Sequence, residues 1–319
     1  MYGSFGVKEH KAKKGCNAEV FAFGIQIYKS LVYKYTKHRR EDAIKVVFRS
    51  RPQTHFAILP PSRLSVPGIF HNVHVDDHRH YDMMAEMQRL RGRVYEADGA
   101  IHPAELTADG RHKLSVDERS WHVLSLDARG QVVACLRYLE ESHASGFDAL
   151  YVRHAALSRC PIRGQRFRRA VELEMRRARH VPIGFGEVGG WAVAEDYRWT
   201  PESLRIVLAT YALLELLGSC AGVATATFRH SSASILQRIG LTALWADGEE
   251  MAPYHDPLYG CLMQVLQFDS RSPSPKYRGW ILDLCGDLTT APVVCRENRS
   301  AFGRLWCGLG TPELVPVAV

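Results

Sequence analysis

The chain lacks any paired-cysteine motif. Eight cysteines are scattered over its 319 residues, and no two of them are spaced as C-x-x-C. No secretory signal precedes them, whereas disulfide frameworks are typical of small secreted proteins. We therefore expect reduced thiols and a cytoplasmic protein.

The sequence also lacks an internal repeat and any helix-turn-helix, zinc-finger or RNA-binding signature. Its formal charge of +7 nevertheless predicts an anionic partner. Because nucleic-acid signatures are absent, we expect no nucleic acid, and an acidic protein or a membrane surface remains as the partner class.

No apolar run is long enough without interruption to be a clear membrane span. Residues 206–228 carry only one charge, at Glu215, but Gly218 and Gly222 divide them. A transmembrane helix needs about 20 apolar residues. We predict a buried helix followed by a buried strand instead.

Three regions are predicted: a basic N-terminal extension (1–75), a core (76–270) and a C-terminal tail (271–319). Helices are predicted within the core at 81–96 and, very rich in arginine, at 167–179. Two strands at 120–126 and 131–138 are joined by Asp127-Ala-Arg-Gly130, a hairpin signal. A further strand is expected at 259–268.

The second half of the core has the clearest order of elements. A strand (187–193) and a polar turn precede a helix that begins at the Thr200 N-cap, with Pro201 in its first position, and ends at Gly218. A strand (223–228) and a helix (232–239) closed by Gly240 follow.

This order resembles the core of the GNAT superfamily of acyltransferases, an α/β fold with a mixed central sheet flanked by helices. Shorter motifs resemble the acyl-homoserine lactone synthases, which are GNAT-like enzymes with acyl carrier protein donors. The residues that carry this likeness are Arg91, Tyr95, Asp117, Arg137 and Glu187. The likeness implies a bacterial-type enzyme with no permanently bound cofactor and an acyl-phosphopantetheine thioester as donor substrate.

Three departures favour a related family. No Trp follows the first helix, Ser120 stands at the second acidic position, and Gly190 replaces an expected Arg. The chain then looks more like the long-chain N-acyl amino acid synthases, which share the fold and donor but accept an ordinary amino acid. Homoserine lactone synthesis is the alternative. An alternative of another class is a non-catalytic binding protein on the same fold, for an acidic protein or membrane.

Glu187 is the predicted catalytic base. Aminolysis of a thioester needs a neutral amine, and an amino acid arrives as ammonium, so a desolvated carboxylate with a raised pKa would serve. A strand carboxylate paired with an arginine is the simpler interpretation. His230, at the end of the next strand, is predicted to relay a proton. No activated Cys or Ser nucleophile is apparent, which favours direct attack.

The donor site is predicted on the same strand and the turn after it. Two glycines would allow a bulge that admits pantetheine and offers an N–H to the thioester oxygen. The turn lacks the glycines of a coenzyme A pyrophosphate loop, Pro201 removes a donor, and Glu202 adds a competing negative charge. These features favour the single phosphodiester of a carrier protein. The predicted donor-binding residues are Gly189, Gly190, Trp191, Val193, Arg198 and Thr200.

Arginines are predicted to contact both the acceptor and the carrier protein. Arg137 and Arg229 would bind the carboxylate of a small-molecule amine acceptor. The docking surface for the acidic carrier protein is predicted on the basic helix, at Arg168, Arg169, Arg176 and Arg177. The acylated product would also allow peripheral membrane contact.

The stretch HNVHVDDHRH (71–80) is rich in potential metal ligands. It nearly matches the H-x-H-x-D-H motif of metallo-β-lactamase-like hydrolases, but two extra residues alter the spacing on which such sites depend. We predict a solvated linker that enters the first helix, and no metal.

Overall fold

A mixed β-sheet forms the centre of the computed structural model, which describes residues 54–62, 64–141, 146–181 and 183–297. The strands in chain order are β1 (His55–Leu59), β2 (Val73–Val75), β3 (Trp121–Leu126), β4 (Val132–Glu141), β5 (Gly184–Val193), β6 (Cys220–Thr227), β7 (Thr242–Ala243), β8 (Trp245–Ala246), β9 (Glu249–Glu250), β10 (Tyr254–Asp256), β11 (Cys261–Asp269) and β12 (Val293–Cys295). The sheet order is β10-β11-β6-β5-β4-β3-β1-β12-β2, with β7 on β11 and a separate β8–β9 pair.

Helices cover both faces of the sheet, which confirms the predicted α/β fold class. They are α1 (Asp77–Ala97), α2 (Gly164–His180), α3 (Glu202–Leu216), α4 (Ser232–Ile239) and α5 (Pro275–Thr290). Strand β4 shows how the faces alternate. Leu136 and Tyr138 belong to the core that contains Val207 of α3 and Ile281 of α5. Cys135 belongs to the core beneath α1, and α2 covers the neighbouring part of that face.

The predicted hairpin is confirmed. β3 pairs antiparallel with β4, and Asp127 Oδ1 accepts the N–H groups of Arg129 and Gln131 at 2.8 and 2.9 Å. Gly130 has a φ of 80°, which favours glycine at the end of this turn. The turn chemistry therefore sets the register of the two strands that lead into the candidate site.

The apolar run at 206–228 divides as predicted, into α3 and β6. The turn between them includes Gly218, whose φ of 100° ends the helix. No described helix has the length and apolarity that crossing a membrane requires. The last predicted helix of the core is found at its predicted bounds, Ser232–Ile239, with Gly240 as C-cap.

The sheet extends beyond the predicted core boundaries, which is a correction. β1 pairs with β3 on one side and with β12 on the other, whereas the predicted boundaries place β1 in the N-terminal extension and β12 in the C-terminal tail. The reason is that β1 is almost fully buried and must pair on both edges. The predictions made for residues 1–53 and 298–319 lie outside the described residues.

The histidine-rich stretch forms β2 and the start of α1. Asp76 is the N-cap of α1 and accepts the N–H of Arg79 at 2.9 Å. His74 contacts Asn72, and His80 is buried. Within the described residues, no group of three or more His, Cys, Asp or Glu is placed to hold a metal.

Candidate functional site

Strand β5 bulges at the predicted glycines and then separates from β6. Between two pairs of the β4–β5 ladder, β4 runs from Arg137 to Cys135 while β5 runs from Gly189 to Ala192, so β5 holds one extra residue. Gly190 has a φ of 66°, which a side chain would disfavour. The parallel β5–β6 ladder ends at Val188–Ala224, before either strand ends. This is the splayed geometry that the GNAT resemblance implies.

Glu187 lies beside this bulge and pairs with Arg137 across the strands. Its Oε1 accepts from Arg137 Nη2 at 3.0 Å, and its Oε2 accepts the N–H of Val152 at 2.7 Å. Both side chains are buried. Burial raises the pKa of Glu187, and the opposing effects of Arg137 and of the Val152 and Tyr151 N–H groups do not cancel that shift. A buried carboxylate with a raised pKa is suited to accept a proton.

Arg137 uses only part of its hydrogen-bonding capacity. Its Nε and Nη1 are buried and have no hydrogen-bond partner within the described residues. Its guanidinium lies 5.1 Å from the centre of the Tyr151 ring, an arrangement that orients the planar group. Because buried donors without partners are costly, Arg137 is suited to bind one more acceptor group, such as a carboxylate.

A second buried ion pair lies on the same face of the sheet. Arg91 Nη2 and Nη1 contact Asp117 Oδ2 and Oδ1 at 2.7 and 3.0 Å. Burial opposes ionisation of Asp117, but Arg91 outweighs it and holds the pKa of that carboxyl well below its usual range. His112 and His122 lie nearby, and burial lowers the pKa of each to about 4. Both imidazoles are therefore neutral at pH 7. The charges of this cluster are then two arginine cations and two carboxylate anions, which sum to zero.

The remaining residues of the bulge contact α1 and β4. Tyr95 of α1 donates to the Trp191 carbonyl at 3.4 Å, and the Cys135 thiol donates to the Gly190 carbonyl at 3.5 Å. Burial raises the pKa of Cys135 to about 11. This residue is therefore a thiol at pH 7 and not a thiolate nucleophile, which agrees with direct attack.

Three predicted site residues converge instead on Asp98, the C-cap of α1. Arg198 Nη1 and His230 Nε2 lie 3.2 and 3.3 Å from Asp98 Oδ1, and Arg229 donates to the Asp98 carbonyl. Arg229 also donates to the Gly260 carbonyl at 3.0 Å. No ion pair joins these residues to Arg137 or Glu187 within the described residues. Asp98 was not singled out from the sequence.

The competing negative charge expected at Glu202 is absent from the turn surface. Its carboxylate is buried and accepts from Thr54 Oγ1 at 2.7 Å, from Ser125 Oγ at 2.5 Å and from Arg205. The prediction was wrong because a first-turn glutamate was assumed to face solvent. The helix also begins one residue later than expected, since α3 starts at Glu202 and Pro201 is its N-cap.

The other donor-site residues of the turn have structural contacts. Thr200 Oγ1 accepts the Glu202 N–H at 3.2 Å and donates to the Tyr197 carbonyl at 2.8 Å. Arg198 Nε lies 3.4 Å from the Val193 carbonyl. These contacts fix the turn that leads from the end of β5 into α3.

Ion pairs neutralise much of the predicted docking surface on α2. Arg168 contacts Asp148 and Glu172 at 2.6 and 3.0 Å. Arg169 contacts Asp247 at 3.4 Å, and Arg177 pairs with Glu174. Among the described residues, Arg176 has no ion-pair partner. The free positive charge of this helix is thus smaller than the sequence suggests.

An open surface cavity lies at the start of α2 and adds to the basic surface there. Its volume is about 690 Å³, and Arg153 and Arg159 line it. Neither arginine has an ion pair within the described chain. The cavity wall residue Arg153 follows Val152, whose N–H binds Glu187. The segment Val152–Arg153 therefore contacts the buried Glu187 carboxylate with one residue and lines the surface cavity with the next.

Comparisons with known proteins give structural likeness only. No protein-family model matches the chain, and a search of curated proteins finds no match. In structure, the chain is similar to BjaI, a CoA-dependent acyl-homoserine lactone synthase with SAM and isopentyl-CoA, at 15% identity and a TM-score of 0.45, covering 79% of this chain and 99% of that chain. It is similar to FeeM, an N-acyl amino acid synthase from uncultured soil microbes, at 11% identity and a TM-score of 0.38, covering 62% of this chain and 88% of that chain. It is also similar to the acyl-homoserine lactone synthase LasI, at 14% identity and a TM-score of 0.39, covering 60% of this chain and 84% of that chain.

These neighbours are of the two kinds of synthase that the sequence motifs resemble. The roles of individual residues rest on this chain's own contacts.

Proposed function

We propose that the protein is an N-acyltransferase that moves a fatty acyl group from a phosphopantetheine thioester to the amino group of an amino acid. The observation that carries this proposal is the buried Glu187–Arg137 pair beside the bulge at Gly190. The pair puts a candidate base at the point where β5 separates from β6, where the thioester would enter.

The acceptor proposed for this site is a zwitterion. Two arginines and two carboxylates balance each other in the buried cluster, so an acceptor of zero net charge can enter without adding an unbalanced charge. Its carboxylate would use the free Nε and Nη1 of Arg137. Its ammonium would lie against Glu187. An ordinary amino acid has both groups and no net charge.

The reaction proposed at this site needs no covalent enzyme intermediate. Glu187 takes one proton from the ammonium, and the free nitrogen attacks the thioester carbonyl carbon. A backbone N–H of the bulged segment 189–191 would stabilise the oxyanion of the tetrahedral intermediate. The C–S bond then breaks, and the leaving thiolate takes up the second proton that the nitrogen loses. An amide and a free pantetheine thiol result.

Mass spectrometry of products tests this function. The purified protein is incubated with a fatty acyl carrier protein and the standard amino acids, and N-acyl amino acids are expected. An acyl-homoserine lactone formed only when S-adenosylmethionine is added would favour the alternative synthase. A protein that binds the carrier but forms neither product would be a binding protein.

We also propose the cytoplasm as the site of this activity. The cysteines of the described chain are free thiols, as expected in a reducing compartment.

Acyl carrier protein is expected to be a better donor than acyl-coenzyme A. The turn from 194 to 201 has no glycines for a pyrophosphate, and Pro201 lacks an N–H. We expect a higher kcat/KM for the carrier protein with the same acyl chain, measured in parallel assays. Equal or better use of the coenzyme A ester would contradict the donor preference and leave the acyl transfer itself intact.

Charge reversal on α2 is expected to weaken carrier-protein docking. Arg168, Arg169, Arg176 and Arg177 changed to Glu should slow association, and the effect should diminish at high salt. Activity with a small pantetheine thioester should change little, because that donor makes no protein–protein contact. Stopped-flow binding and steady-state assays would measure the two effects.

Arg278→Glu is the matched control, since Arg278 is exposed on α5, on the other face of the sheet. An equal loss of activity with both donors would mean that α2 supports the fold or the site and does not serve for docking. Arg153 and Arg159 would then be the next candidates.

A further inference from the structure

We infer that the Asp98 carboxylate occupies the binding position of the donor's phosphate in the free protein, and that the donor enters by displacing it. Arg198 and His230 would then hold the phosphate in place of Asp98. This inference rests on the proposed function and adds to it a specific anion site with an internal competitor.

The position of Asp98 relative to the strands is the first support. Arg198 lies in the turn after β5, and His230 lies in the turn after β6. These are the two strands whose ladder ends at Val188–Ala224. One carboxylate oxygen contacts both side chains, at 3.2 and 3.3 Å. Asp98 therefore bridges the opening between the separated strands.

The chemistry of the three groups is the second support. An arginine and a histidine that share one oxyanion are a typical arrangement for binding a phosphate. The carboxylate carries one negative charge, as does the phosphodiester of a carrier-bound pantetheine. Exchange of one for the other would keep the local charge balanced.

The location of Asp98 on its helix is the third support. A carboxylate is unfavourable at a helix C-terminus, where the helix dipole is negative. The last turn of α1 holds no basic residue to offset it. The placement of Asp98 therefore depends on cations from other segments, which makes its carboxylate the group that an incoming anion can replace.

Accessibility is the fourth support. The exposed fractions of the side chains are 19% for Asp98, 27% for Arg198 and 46% for His230. The three groups thus lie at the surface, within reach of a ligand, in contrast to the fully buried Arg137–Glu187 pair. His230 and Ser231 both have positive φ values, 60° and 61°, which places the two residues in a tight turn directly after β6.

Equilibrium binding of 4′-phosphopantetheine tests the inference without any acyl transfer. We expect Asp98→Asn to bind it about two- to fivefold more tightly than the unchanged protein, as is typical for one partly exposed ion pair. Pantetheine, which lacks the phosphate, should bind equally to both proteins. In the double variant with Arg198→Gln, the gain should disappear. Titration calorimetry would give the affinities, and thermal unfolding would confirm that each variant is folded.

Asp269→Asn is the matched control. Asp269 forms an aspartate–arginine pair with Arg271 at 2.7 Å, at the end of the β6–β11 ladder where β5 and β6 are still paired. It should leave the affinity for 4′-phosphopantetheine unchanged. Unchanged or weaker binding by Asp98→Asn would overturn the inference, as would an equal gain in pantetheine binding. Failure to form any acyl product, with the binding shift present, would instead reject the proposed function and keep the anion site.

Discussion

Glu187→Gln is expected to lower kcat at pH 7 by about 10²- to 10⁴-fold, the usual contribution of a general base. Glutamine preserves the size of the side chain, but its single carbonyl oxygen can accept from only one of the two donors, Arg137 Nη2 or the Val152 N–H. Thermal unfolding should therefore accompany the assay, to show that the variant is folded. Burial raises the pKa of Glu187, so activity of the unchanged enzyme should rise with pH as this carboxyl ionises. The variant should lack the rise in activity that follows ionisation of Glu187. Its activity should recover in part only at high pH, where the amino acid itself is abundant as the free amine. Steady-state kinetics between pH 5 and 10 would measure both effects.

Glu141→Gln is the control for this experiment. Glu141 is a buried carboxylate of the adjacent strand β4 and pairs with Arg119 at 2.8 Å, away from the bulge. The Glu141 charge contributes to the raised pKa of Glu187, so its replacement should move the pH profile slightly to lower pH. It should leave the maximal kcat unchanged, in contrast to the loss expected for Glu187→Gln. Normal turnover of Glu187→Gln at pH 7 would show that Glu187 is structural and would remove the proposed base.

Asp117→Asn is expected to lower the free energy of unfolding by about 3–5 kcal/mol, because it leaves the Arg91 guanidinium buried without its counter-charge. Arg91 and Asp117 are almost fully buried and share two hydrogen bonds. Gln88 and the Leu114 N–H also bind this carboxylate, so its loss affects several contacts at once. Urea denaturation at pH 7 would measure the change.

The pH dependence of stability provides a second measurement of the same pair. Burial alone would raise the pKa of Asp117, but the Arg91 guanidinium outweighs burial and holds this pKa well below its usual value in the folded protein. The stabilisation is therefore fully present above the unfolded pKa of about 4 and is lost as the pH falls below it. The variant should lose less stability over that range than the unchanged protein does.

Asp148→Asn is the control for stability, since Asp148 pairs with Arg168 but its side chain is 65% exposed. It should leave the urea midpoint almost unchanged. A small effect of Asp117→Asn, similar to that of the control, would mean that the buried pair contributes little beyond an apolar replacement.

The parts of the fold that could be predicted from sequence are those with local signals. The hairpin at 127–130 has its turn residues, and α4 has apolar periodicity and a closing glycine. Strand β12 has no such signal, because three apolar residues predict nothing alone. Its place in the sheet depends on pairing with β1, which is distant in sequence.

The candidate site shows the same distinction. Glu187 and Arg137 were predicted from motifs in separate strands, and the ladder brings them together. Glu202 was assigned to the wrong surface, since a charged residue in a first turn gives no sign of burial without its partners Thr54 and Ser125. Asp98 could not be found, because its partners come from two turns far along the chain and no motif surrounds it.

The pairing of β1 with β12 has a consequence for how the chain folds. Nearly all of the described chain lies between these two strands, so the ladder between them has a very high sequence separation, and such pairings form slowly. During synthesis β1 can pair with β3 early, but its other edge must wait for the last described strand to leave the ribosome. Until then β1 is an apolar edge strand, the kind of surface that promotes aggregation. A premature stop before residue 293 would leave that edge permanently open.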